Sequence, residues 1–135
     1  PVIGLIKHYT LEAGAVASTL SHDSHNLIVL GVNREDMALA VNTVLELKGG
    51  MAAVSGARVL ATLPFPVGGL MTTGTVAEAA SQAAAFRKAI GTLGLDPKSP
   101  ILPFSVFSLP AMPGIKITDQ GIWDADKKDF ISLFV

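Results

Sequence analysis

Residues 33–63, NREDMALAVNTVLELKGGMAAVSGARVLATL, decide the fold class. Asn33 is a favoured helix N-cap, because its side-chain oxygen accepts from a backbone N–H that the first turn leaves without a partner. Glu35 and Asp36 then place carboxylates at the positive end of the helix dipole. Met37, Val41, Val44, Leu45 and Lys48 follow at helical spacing, and Gly49-Gly50 ends the helix. Residues 51–54, a turn at Ser55-Gly56 and residues 58–63 then read as a hairpin of two strands.

The same punctuation continues on both sides. Downstream, Pro64, Pro66, Gly68 and Gly69 break the pattern, and Thr75 with Glu78 three residues later forms a capping box. Ala79, Ala83, Phe86, Ile90 and Leu93 lie on one face of the helix that follows, with Gly94 as its stop. Five prolines between Asp96 and Pro113 predict an irregular crossover with one apolar piece at 101–109. Residues 115–118, a turn at Asp119-Gln120-Gly121 and residues 122–123 suggest a last hairpin before a tail at 130–135. Upstream, residues 2–7 and 15–19 read as strands, and residues 27–30, wholly apolar, as a third and central one. Two helices interleaved with about seven short strands indicate an α/β chain of the α+β type, a layered sandwich with a mixed sheet. The 135 residues, without repeat or linker, make one domain over 1–135 and exclude a complete barrel enzyme of roughly 250 residues.

Half of the residues are hydrophobic and only 16% are charged, against a usual charged fraction of roughly 25%. That surplus points to a buried partner surface. A net charge of −1 gives no basic face for nucleic acid or an anionic membrane, and no apolar run approaches the roughly 18 residues that would cross a bilayer. Cysteine is absent, which removes disulfides and thiolate metal sites and fits the cytoplasm. A start at Pro1, without an initiator Met, leads us to expect a piece of something longer.

The side chains suited to acid–base or ligand work gather in Ser21-His22-Asp23-Ser24-His25-Asn26, just before an apolar strand. An imidazole titrates near neutral pH, and a carboxylate beside it fixes its tautomer and raises its basicity. As a metal motif, His22 and His25 lack a third and fourth ligand unless Asp23 or another chain supplies them. A nucleophile reading would pair Ser21 or Ser24 with a histidine and Asp23, although triads are assembled from distant parts of a fold. The remaining alternative is a polar turn whose side chains cap its own backbone. Pro66-Val67-Gly68-Gly69-Leu70-Met71 offers backbone N–H groups to an anion or a purine ring nitrogen, but its spacing matches no phosphate loop, and turn chemistry explains it.

The wording of these motifs adds a further signal. His22-Asp23-Ser24-His25-Asn26, the stretch Asn33-Arg34-Glu35-Asp36-Met37-Ala38-Leu39-Ala40-Val41-Asn42 and Gly49-Gly50 closely resemble the C-terminal region of bacterial adenine deaminases. Leu63-Pro64-Phe65-Pro66-Val67-Gly68-Gly69-Leu70-Met71, residues 115–124 and the ending at 130–135 extend the resemblance over nearly the whole chain. The resemblance implies a longer polypeptide with a metal-dependent amidohydrolase barrel, which hydrolyses adenine to hypoxanthine and ammonia in purine salvage. Manganese or iron activates water there for attack at C6. The barrel's His-x-His pair is absent from this sequence, so the resemblance places the main metal ligands on the barrel and none with confidence on this chain alone. It makes His22 and Asp23 the catalytic candidates, in a proton relay or as an added metal ligand. Ser24, His25 and Asn26 become the substrate-binding candidates. The expected partners are the barrel of the same polypeptide, adenine and further copies in a homo-oligomer, with neither nucleic acid nor membrane. The alternatives are a purely structural or dimerisation domain and a non-catalytic purine-binding module.

Overall fold

The four residues of strand β1 (Ala15–Ser18) are all buried, as are the first five of strand β3 (Gly50–Ser55). A strand with one wet face alternates between buried and exposed, so this pattern requires cover on both faces. The computed structural model, which describes residues 10–21, 26–96, 98 and 106–133, supplies it with one helix on each side. Ala15, Ala17, Ala52 and Val54 face helix α1 (Arg34–Glu46) through its Ala40 and Val44. Val16, Met51 and Ala53 face helix α2 (Val76–Gly91) through Phe86 and Ile90, with Leu93 and Leu95 beyond its end. The α1 face is lined by alanines, which let the helix close on the sheet. The α2 face holds the large side chains. Met51, Phe86, Ile90 and Leu93 are each under 2% exposed, and each contributes roughly 1.5–3 kcal/mol by leaving water.

Strand β2 (Ile28–Gly31) pairs with β1 on one side, and strand β4 (Arg58–Pro64) pairs with β3 on the other, in the order β2-β1-β3-β4. A bulge between Ala53 and Val54 shifts the β3–β4 register. A second sheet runs β5 (Ile115–Ile117), β6 (Ile122–Asp124), β7 (Asp129–Ile131). The α+β class, the two helices and the hairpins thus stand as the sequence predicts. Every ladder among the described residues is antiparallel, where a mixed sheet would include a parallel pair. The apolar stretch 27–30 lies at an end of the described sheet and not inside it, and it is apolar because α1 covers Val29 while α2's cluster takes Leu30. The start of the expected tail is strand β7, where Phe130 meets Trp123 edge to face at 5.1 Å. The expected strand at 2–7 lies outside the described residues. No described helix is long and apolar enough to cross a membrane.

Both helices start as their caps dictate. Thr75 Oγ1 accepts from the Glu78 N–H at 3.3 Å, while the Glu78 carboxylate accepts from the Thr75 N–H at 2.7 Å. At α1, Asn33 Oδ1 accepts from the Asp36 N–H at 2.8 Å and Asn33 Nδ2 donates to Asp36 Oδ2 at 2.9 Å. Asp36, only 3% exposed, also accepts from the N–H groups of Ala57 (2.9 Å) and Gly56 (3.3 Å), the two turn residues of the β3–β4 hairpin. Both turn residues are left-handed, with φ 58° each, and Ala57 has a side chain that disfavours that conformation. One carboxylate therefore fastens the start of α1 to a strained turn.

The Asn33 amide and then the Ala57 and Gly56 N–H groups hold the Asp36 carboxyl below its ordinary value near 3.8, against burial, which works the other way. A depressed folded pKa gives stability that is fully present above the unfolded value and is lost as pH falls through the folded one. Thermal melts from pH 7 to pH 2 are therefore expected to show a midpoint that drops below about pH 4. Asp36→Asn should lower the midpoint at pH 7 and flatten part of the acid limb, leaving the share owed to Glu78 and Asp124, which are lowered too. Identical acid limbs in the two proteins would dispose of the clamp.

Candidate functional site

Because the sheet interior is apolar and covered, polar side chains collect at the strand ends. At the Ser18 end, three connections meet: the stretch from Thr19 to Leu27, the turn that leads from α1 into β3, and the loop from Phe65 to Thr75. Thr19 joins them. Its N–H donates to the Gly50 carbonyl at 3.0 Å, which extends the β1–β3 ladder by one residue. Its hydroxyl accepts from the Gly50 N–H at 2.8 Å and donates to the Gly69 carbonyl at 2.6 Å. Phe65 N–H donates to the Gly49 carbonyl at 3.0 Å, so the loop after β4 is tied to the same turn.

Two glycines make this approach possible. Gly50 has φ 134°, and a Cβ there would collide with the Leu63 carbonyl oxygen. Gly69 has φ 73°, and a Cβ there would sit 3.1 Å from both Cβ and Oγ1 of Thr19. Beyond Gly69 the loop closes on itself, with the N–H groups of Leu70 and Met71 donating to the Val67 carbonyl at 3.1 and 3.2 Å. Val67 and Met71 in this loop and Val76 at the start of α2 are 42, 59 and 88% exposed.

On the other side of Thr19 the chain is also held. The Leu20 N–H donates to Ser18 Oγ at 2.9 Å, and the Ser21 N–H donates to the Thr19 carbonyl at 2.9 Å. Ser18 and Ser21 are fully buried. Ser21 Oγ lies 3.4 Å from Ser108 Oγ, in a short 3₁₀ turn (Val106–Ser108) that contacts β5. Of the five candidate residues, Asn26 is described and is exposed just before β2. His22, Asp23, Ser24 and His25 lie outside the described residues, as does His8. Thr19, two residues before the polar stretch begins, is thus fastened to the Gly-Gly loop at Gly69. Neither residue was chosen for a role from sequence. The available signal was a β-branched hydroxyl at a strand end together with two Gly-Gly pairs, each of which has an ordinary turn explanation.

Elsewhere the surface offers less chemistry. Two shallow depressions of about 440 and 260 Å³ share Trp123 and Pro110 in their linings. Their ionisable side chains, Asp126 and Lys128 in one and Asp119 in the other, form no acid–base pair with one another in the structure. Among the described residues no three His, Asp or Glu side chains converge as a metal site.

Comparison with known proteins gives one consistent result. Residues 1–129 match the family model described as adenine deaminase C-terminal domain. The chain is 40% identical over 132 residues to an adenine deaminase of Clostridium botulinum (strain ATCC 19397 / Type A), covering 98% of this chain and 22% of that protein. It is 42% identical over 135 residues to an adenine deaminase of Escherichia coli O9:H4 (strain HS), covering 100% of this chain and 23% of that protein. The chain therefore spans less than a quarter of the length of these relatives.

The crowding at Gly50 can be measured against a glycine with free space. Gly50→Ala should destabilise the fold by more than the roughly 1–3 kcal/mol of a strained backbone alone, because the carbonyl collision adds to it. Gly68→Ala, also left-handed at φ 62° but with nothing within 4 Å of the added carbon, should cost only the strain. Urea titrations of the two variants check this, and equal losses would refute the packing argument.

Proposed function

Since this chain belongs to the adenine deaminase C-terminal domain family, we propose that it serves a larger cytoplasmic enzyme that hydrolyses adenine to hypoxanthine and ammonia in purine salvage. The relatives that carry the name adenine deaminase are more than four times as long, and this leaves room for a catalytic barrel on the same polypeptide. The observation that supports the reading is the tie between the Gly-Gly loop and Thr19, two residues before the polar stretch, at one end of the sheet.

The role assigned to this domain uses its own residues. His22 takes and returns a proton near neutral pH, and Asp23 fixes the imidazole tautomer and raises its basicity. Ser24, His25 and Asn26 bind the purine edge, where a side-chain amide can both donate and accept. The metal, manganese or iron, supplies an activated water when bound to the barrel. The described residues of this chain do not fit a metal centre, and the chemistry assigned to the domain does not pass through one. The exposed Val67, Met71 and Val76 favour a second reading, in which the domain only covers the barrel or joins copies in a homo-oligomer.

Ammonia release from adenine, with manganese present, separates the two. The complete polypeptide should be active and the 135-residue chain alone inactive. In the complete polypeptide His22→Ala and Asp23→Asn should each lower kcat by about 100-fold, the low end of what a positioned acid or base supplies. Unchanged activity in both variants would leave the covering role; activity in the isolated chain would overturn the dependence on a barrel.

A further inference from the structure

We infer that the exposed apolar side chains of the loop before α2, together with the outer face of the first half of that helix, form a docking surface covered by the remainder of the same polypeptide. The inference rests on the larger polypeptide proposed above and not on the chemistry assigned to residues 22–26.

The two helices present different outer faces. On α1 the exposed positions include Arg34, Glu35, Asn42 and Glu46, the charged and polar set of a solvated helix. On α2 the exposed positions from Val76 to Ala85 carry no charge apart from Glu78. That carboxylate is already engaged, accepting from the Thr75 N–H at 2.7 Å and from the Thr75 hydroxyl at 2.9 Å. Cations return only at Arg87 and Lys88, in the second half of the helix.

The larger apolar side chains adjoin this face. Met71 is 59% and Val76 88% exposed, and Val67, bridged to Met71, is 42% exposed. The path from loop to helix is held by the Gly74 N–H, which donates to Thr72 Oγ1 at 3.1 Å, and then by the Thr75 cap. Between Val67 and Ala85 the only ionisable side chain is Glu78, so this is where the chain's low charged fraction of 16% is concentrated on the surface. An exposed apolar patch of this kind marks an interaction surface, and one without free charge is matched by an apolar partner.

Size decides the occupant. Ten residues of helix at about 1.5 Å each and roughly 10 Å across, with the loop beside them, offer on the order of a few hundred Å². An untethered dimer buries more, roughly 800 Å² per partner. Two parts of one chain need less, since their linker holds them at an effective concentration near millimolar, and they bury roughly 600–1,500 Å² over both sides. The chain covers 22 and 23% of the two adenine deaminases compared above, so a polypeptide of that length has a second part large enough to cover the face.

Two methionines provide the test. Met112, 44% exposed and outside the face, is less exposed than Met71, so in an uncovered domain Met71 oxidises at least as fast. The complete polypeptide is treated with hydrogen peroxide and the sulfoxides are followed by peptide mass spectrometry. Met71 should react about 10-fold more slowly than Met112, the ratio for a face uncovered about a tenth of the time. Equal rates at the two, or a faster Met71, overturn the inference. The measurement is repeated at a dilution where light scattering shows a monomer. Protection should persist, and its loss on dilution would give the face to a second copy and overturn the assignment to the same polypeptide.

Val76→Glu then probes the face itself. A carboxylate at the first position of α2 suits the positive end of the helix, so the domain is not weakened by it. Buried without a partner under the covering part, it should open the contact and bring Met71 to within about twofold of Met112. Leu45→Lys, on the exposed side of α1, should leave Met71 protected. Unchanged protection in the Val76 variant, or equal loss in both variants, overturns the role of this face, with far-UV circular dichroism confirming that each variant is folded. Ammonia release from adenine, read on the same samples, keeps the two levels apart: an inactive parent with a protected Met71 removes the proposed reaction and leaves the docking surface, and an active parent with a fast Met71 does the reverse.

Discussion

A sheet covered on both faces governs this domain. β1 and the first five residues of β3 have no solvent-facing side, so each of their residues must be apolar or have its polar atoms satisfied within the fold. Ser18 is the exception that meets the second condition, by accepting from the Leu20 N–H. The alanines at 15, 17, 40 and 52, all fully buried, belong to the cluster that joins α1 to its side of the sheet. With both faces closed, the polar groups next to these two strands collect at the strand ends.

The two ends of the sheet are used differently. At one, Asp36 gathers the start of α1 and the β3–β4 turn into a purely structural knot. At the other, Thr19, Gly50 and Gly69 gather three connections, one of which leads into the most polar stretch of the chain. The described residues thus form a frame with a knot at each end of the sheet, in a chain that spans less than a quarter of the length of its curated relatives.

Local rules made much of this readable. The Asn33 cap, the Thr75–Glu78 box and the stop at Gly49-Gly50 are decided by a few neighbouring residues, and each stands where the sequence puts it. The buried stripe of α2 through Phe86 and Ile90 follows from its periodicity. The outline blurs where tertiary contacts decide. Leu45 keeps helical spacing but is 62% exposed, and the buried line of α1 runs through Asp36, Ala40 and Val44 instead, with a carboxylate in the core because a turn 20 residues away needs an acceptor. Three-residue β7 has no period to detect, and an entirely apolar β2 looks central when it is only covered from both sides. For the candidate site, composition singles out the polar stretch and the Gly-Gly loop, but nothing in either says that Thr19, just before the first, bonds to Gly69 in the second. That tie depends on strand order, which local patterns do not disclose.

The Asp36 clamp also bears on how the domain can be re-engineered. A surface hairpin tip is the usual place to graft a tag or to open new termini, because its backbone ordinarily has no other duty. Gly56 and Ala57 form such a tip, and both are exposed. Their N–H groups nevertheless belong to a helix cap far upstream, so a graft there would cut the start of α1 loose along with the turn. This exposed corner of the sheet is therefore closed to modification.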